Sequence, residues 1–387
     1  MASLILPEPT SDALWTACNE ASPGDVIQCP SGDYGVCSVP AGVLHAAPFV
    51  TIEPAEGADP IISGFSISGQ EAAPTGGYII LGFDIRMTPA AQYGVSMGWA
   101  QDVTLRYNKV HQAEDGTPLG TGVWIRNSKG VHVYRNEVCW VGDGIDGQAD
   151  RQGTCDGVEI KDNDLHDIGA NFMFFSGLSH LLVQFNYGTN ARVIEGVHPD
   201  FCQIANSGAS ISEDIDILEN EYERGEGGAS QGIFVGDGRR IRVLRNAIRG
   251  AQTNGVNLAR TVDFEVRENF VQPYADIGSS IIVRQEATNG ALIDNSAFVS
   301  VGVPGEPQPV NIEQRGNVEV PPATGPDDTQ AYDAWRASLE PVPPQPEPGP
   351  CDAEKAQIAE LQAQVAALED EVAILSGKIE DAQAALA

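Results

Sequence analysis

The sequence predicts an all-β fold, a right-handed parallel β-helix (solenoid), followed by a C-terminal α-helical coiled coil. Three observations lead there. A phrase of the form apolar-x-apolar-x-x-Asn-x-apolar recurs eight times, with its asparagines at Asn108, Asn136, Asn163, Asn186, Asn220, Asn246, Asn269 and Asn295. The intervals of 28, 27, 23, 34, 26, 23 and 26 residues are those of a solenoid rather than of a single folded unit. Beyond residue 350 the apolar residues change to a seven-residue period.

The repeat is read first. Copies such as VTLRYNKV (103–110), VHVYRNEV (131–138), VEIKDNDL (158–165) and IDILENEY (215–222) place apolar residues five and three positions before the asparagine and two after it. That alternation is the period-2 mark of a strand with one buried face. Asparagine tolerates left-handed backbone and bonds locally through its amide, so it suits the bend between two short strands. A further strand follows after a loop of variable length, as in GVWIRN, FMFFSG, GIFVGD and GVNLAR. The return from its last inward residue to the next repeat is nearly constant. Ile125 to Val131, Val235 to Ile241 and Leu258 to Phe264 are 6 residues each, and Phe174 to Leu181 is 7. A fixed return with a variable loop describes coils stacked in register, and parallel crossovers are overwhelmingly right-handed. In such a stack, charges four and one positions before the asparagine become neighbours: Asp216, Arg242 and Glu265, then Glu219, Arg245 and Glu268. They alternate in sign, which stabilises a stack modestly. These charges and the asparagines are therefore read as scaffold.

The ends follow. Residues 1–10 form an N-terminal arm, and SDALWTACNE opens an amphipathic segment with Asp12 as its candidate N-cap. With PGDVIQCPSGDYG after it, the chain resembles the start of the pectate-lyase-like right-handed β-helix superfamily, where a helix caps the first coil. The resemblance covers residues 11–318 and implies the fold. It leaves the chemistry open, because the superfamily holds lyases, hydrolases, epimerases and non-enzymatic adhesins. Residues 319–350 read as a linker ending in the proline-rich EPVPPQPEPGP. In 351–387, Ile358, Val365, Val372, Ile379 and Leu386 occupy a positions, and Leu361, Leu368, Leu375 and Ala382 occupy d positions. Ile and Val at a with Leu at d favour a dimer, and Cys351 falls on an a position.

Composition sets limits. The formal charge is −32 over 387 residues, which repels phosphate backbones and argues against nucleic acid. The first residues lack the apolar core of a signal peptide, and no run is long enough to span a bilayer. Seven cysteines without metal-ligand spacing are expected to be buried thiols rather than disulfides.

Uneven loops locate the chemistry. From asparagine to the next inward residue the chain takes 15 residues in the Asn108 coil, 9 in the Asn163 coil and 16 in the Asn186 coil. The Asn136 coil shows no clean second strand in 139–155. A short loop between bulky ones makes a cleft. Its floor is expected to be outward Met173 and Phe175, with Trp124, Trp140 and Tyr187 lining it for sugar rings and Gln203 facing it. RVIEGVHPDFCQ supplies Arg192, Glu195, His198 and Asp200 as candidates for acid/base catalysis on a glycosidic linkage. Asp143, Asp146, Asp150 and Asp156 could gather around Ca²⁺.

A β-helix joined by a proline-rich linker to a coiled coil resembles a bacteriophage tailspike or fibre. The resemblance implies a virion-surface protein that binds, and could cleave, a host surface polysaccharide. It implies a homotrimer, against the dimer cue of the heptads, and contacts with other virion proteins. A secreted bacterial polysaccharide lyase, hydrolase or epimerase, and a non-enzymatic spike or adhesin, are the alternatives.

Overall fold

The computed structural model describes residues 2–114, 117–150, 153–206 and 210–339. The expected coiled coil, with residues 340–350 of the linker, lies outside them.

The described chain winds into three parallel ladders. The first runs from Ser3–Ile5 to Val310–Arg315 and stacks thirteen strands. The second consists of three-residue strands, from Asp84–Arg86 to Phe270–Gln272, each directly after an asparagine bend in the upper coils. The third runs from Gly32–Ser38 to Val299–Val301. Register follows the sequence pattern: Val103 pairs with Val131, Val158 with Leu181, Leu181 with Ile215, and Ile241 with Phe264. All are buried in one continuous core.

The asparagines form an unbroken internal column. The Asn108 amide donates to Asn136 Oδ1 at 3.0 Å, Asn136 to Asn163 at 3.0 Å, and so on to Asn295, which donates to Asn317 at 2.9 Å. Asn317 is a ninth member that the repeat phrase did not mark. The backbone N–H of each asparagine from Asn108 to Asn295 also donates to the oxygen of the next, so these buried polar groups are satisfied between coils. The left-handed residue is the one before each asparagine, for example Tyr107 (φ 55°), Arg135 (φ 53°) and Glu219 (φ 55°). That bend turns the amide back toward the carbonyl two residues earlier, as from Asn108 to Arg106 at 2.9 Å. The expected charge stack is present where Arg242 pairs with Asp216 and Arg245 with Glu268.

Four expectations change. The segment after Cys139 is a strand, Val141–Gln148, in register with Leu119–Arg126 and Met173–Ser176. Its pattern was hidden because Gly147 takes the inward place between Ile125 and Phe175, where an added Cβ would lie 2.8 Å from the Phe175 ring. Met173 and Phe175 are both inward and buried, and Phe174 is the outward residue. The return from Phe175 to Leu181 is then 6, like the others. At the N-terminus the arm is not free. Ser3–Ile5 pairs with Val26–Cys29, and the capping helix Ser11–Glu20 starts from Thr10, whose hydroxyl accepts the Ala13 N–H. Finally, the first part of the expected linker is docked. Helix Gln330–Ser338 buries Trp335 against Ala247 and Phe270, and the preceding turn accepts from buried Arg249 through the carbonyls of Pro326 and Asp328.

The six cysteines of the described residues are buried free thiols. Among those residues, no helix is long and apolar enough to cross a membrane.

Candidate active site on the third ladder

Alternation along the third ladder sets up a column of outward side chains parallel to the solenoid axis. Trp124 pairs in register with Asp146, Asp146 with Phe174, Phe174 with Gln203, and Gln203 with Phe234. Each is half-buried between buried neighbours. A second column beside it carries Tyr93, Thr121 and Asp143 in register, then Asn171 and Asp200. Asn171 ties the last three together. Its backbone N–H donates to Asp143 Oδ1 at 3.1 Å, and its side-chain oxygen accepts the Asp200 N–H at 3.1 Å.

The carboxyls are perturbed by their surroundings. Burial pushes Asp146 up to about 7; the Gln148 amide, 3.0 Å from both oxygens, opposes this, and the charge of Asp143 adds to it. Asp143 is also raised by burial, against the stabilising bonds of Asn171. Asp200 is only 3% exposed, and burial alone pushes it up to about 7. Its Oδ1 has no hydrogen-bond partner among the described residues. Perturbed carboxyls gathered beside one another mark a candidate functional site. The Trp124 ring stacks on Tyr93 with centroids 4.6 Å apart, and the Arg126 guanidinium lies 5.8 Å from the Trp124 centroid.

The structure separates several residues that the sequence grouped. Arg192 bonds Asp167 at 2.6 Å and covers Trp140 at 4.9 Å, at the corner between the second and third ladders. Glu195 and His198 are exposed on the loop before Asp200, while Asp200 lies beneath it. The four therefore do not converge. Of the candidate Ca²⁺ ligands only Asp143 and Asp146 share a face. Asp150 pairs with Arg126 at 2.7 Å, and Asp156 is turned onto the first ladder, bonding Ser179 at 2.7 Å and His180 at 2.8 Å. Tyr187 stands on the second ladder between Asp164 and Glu221, away from Trp124. Gln203 faces outward as expected. Tyr93, Asn171, Phe174 and Phe234 were missed. The signal was available, since each sits at an outward step once the strand register is known.

Residues 93–271, which include all of these groups, match the family model described as right handed beta helix region. No curated protein sequence is significantly similar to the chain. Among solved structures, a family 28 exopolygalacturonase of Yersinia enterocolitica is 9% identical, covering 84% of this chain and 79% of its own, with a TM-score of 0.50. The A-module of a mannuronan C-5 epimerase of Azotobacter vinelandii is 14% identical over 78% and 82%, with a TM-score of 0.49. A surface adhesin of Streptococcus pneumoniae is 10% identical over 81% and 88%, with a TM-score of 0.47. At these identities the likeness is one of fold. The stacked coils, the asparagine column and the family match over residues 93–271 together show the chain to be a right-handed parallel β-helix.

Proposed function

We propose that the third-ladder face binds and hydrolyses a neutral polysaccharide, and that the chain does so as the tailspike or fibre of a phage particle. The carrying observation is Asp146, held near neutrality between Trp124 and Phe174 and beside Asp143. A carboxyl with that value is still substantially protonated at pH 7 and can donate to a leaving glycosidic oxygen. Asp143, which accepts the Asn171 N–H, takes a proton from the water that attacks the anomeric carbon. The new C–O bond forms as the glycosidic bond breaks, and the proton from Asp146 ends on the leaving hydroxyl. Trp124 and Phe174 stack on the apolar faces of sugar rings, and Gln203 bonds hydroxyls. Asp200 lies too deep to touch the glycan, and its backbone N–H holds Asn171. The two columns from Tyr93 to Gln203 carry carboxylates and amides and no basic side chain, which favours a neutral glycan over an acidic one. The virion reading rests on the heptads of 351–387 and implies a homotrimer at the particle surface, with polysaccharide and other virion proteins as partners.

Incubation with neutral and acidic cell-surface polysaccharides, reading new reducing ends and the ultraviolet absorbance of unsaturated ends, tests the chemistry. Reducing ends from a neutral glycan, lost in Asp146→Asn and Asp143→Asn, are expected. Unsaturated ends would replace hydrolysis by a lyase reaction, and tight binding without product would make the chain an adhesin. Sedimentation of the full chain should give three copies.

A further inference from the structure

On the neighbouring face, the second ladder brings together a different set of groups. We propose that Glu137, Cys139 and His166 form a site for one borderline-soft divalent cation, with Zn²⁺ as its natural type. Cys139 and His166 occupy the same column on adjacent coils, and Glu137 is two residues before Cys139 on the same outward face. One ligand atom from each lies within 4.8 Å of the other two. A zinc ion held by the three would sit about 2.0–2.3 Å from each ligand atom.

One further feature points to a cation. His166 Nδ1 lies 2.7 Å from Asp167 Oδ2, and in the tautomer in which this nitrogen donates to the carboxylate Nε2 is left to bind a metal. Nε2 in turn faces Glu137 Oε1 at 3.3 Å. Lys109 also brings positive charge to this oxygen, at 2.7 Å. The Asp167–His166 pair also has the arrangement by which a carboxylate fixes the tautomer and orientation of a metal-binding imidazole. Asp167 bonds Arg192 as well, so the site connects to the loop over the candidate active site. Three protein ligands leave a fourth position for water. Cysteine and histidine together select Zn²⁺ over Ca²⁺ or Mg²⁺.

The test uses the full chain titrated with Co²⁺ and, in competition, with Zn²⁺. One equivalent of Co²⁺ should give a thiolate-to-cobalt charge-transfer band, which Zn²⁺ abolishes and Ca²⁺ does not. Cys139→Ser should remove the band, and His166→Gln should weaken Zn²⁺ binding at least about a hundredfold. Asp167→Asn should weaken it about 10–100-fold while the band persists at saturation. Circular dichroism of each variant without metal checks that the coils remain folded. A band that survives Cys139→Ser, a band lost instead in Cys351→Ser, or no band in the folded parent would overturn the assignment. So would unchanged Zn²⁺ affinity in folded His166→Gln.

Discussion

Replacing Asp200 by Asn should reshape the pH dependence of stability. The Asp200 carboxyl is pushed from 3.8 up to about 7 by burial, a displacement equivalent to about 4 kcal/mol. Well below pH 3.8 the carboxyl is protonated in both folded and unfolded chains and contributes no difference. Between about pH 4 and 7 the unfolded chain releases this proton while the folded chain keeps it, so stability falls as pH rises. Above pH 7 the penalty is complete and constant. An asparagine has no proton to lose, so the variant should escape this decline. Urea unfolding of both proteins, followed by circular dichroism from pH 4 to 8, gives their stability difference at each pH. Any fixed cost of the amide, such as an unpaired buried N–H, cancels when that difference is compared between the two ends of the range. The comparison should move by about 4 kcal/mol in favour of Asp200→Asn between pH 4 and pH 8. Parallel curves, differing by less than about 1 kcal/mol across the range, would show that Asp200 is ionised normally and that its buried setting has been misread.

Other perturbations separate scaffold from site. Asn186→Ala strands the Asn163 N–H and the Ile160 carbonyl, so it should cost about 2–6 kcal/mol in denaturant unfolding at about 1–3 for each orphaned group. Trp124→Ala should raise KM about tenfold, the equivalent of about 1.4 kcal/mol, with kcat nearly unchanged, because it removes a stacking surface and no proton carrier. Trp335→Ala should release helix Gln330–Ser338, at a local cost of about 3 kcal/mol. Amide exchange should then speed up in 319–339 and remain slow in the coils.

The scaffold was largely legible because its rules are periodic. Alternation around Asn108 to Asn295 gave the coils and their core face. The nearly constant return of six or seven residues gave the register, and the charges of Arg242 and Arg245 found partners of the expected sign. Val141–Gln148 was not legible because glycine stands at its inward step and the neighbouring Phe175 supplies the missing volume from another coil. The same ambiguity of one step put Met173 and Phe175 outside. The site was harder still. Asp143 and Asp146 could be named as carboxylates, but their sharing a face with Trp124 and Phe174 depends on contacts between coils. Arg192, Glu195 and His198 are close in sequence, yet Arg192 is tied to Asp167 while Glu195 and His198 are exposed on the loop. The docked helix was hidden for a related reason, since its binding surface, Ala247 and Phe270, lies on coils far from it in sequence.

In the asparagine column each amide gives a hydrogen to the oxygen of its C-terminal neighbour and another to a carbonyl of the coil before it, as Asn108 does to Asn136 and Ile80, and its oxygen receives from the N-terminal side, from Phe83 N–H below Asn108 onward. Every junction between coils is therefore chemically alike. A whole winding could be duplicated or removed between two such junctions and the severed bonds would find identical replacements. The molecule can thus change its length, and the number of side loops it displays, in whole-coil steps without redesigning either end.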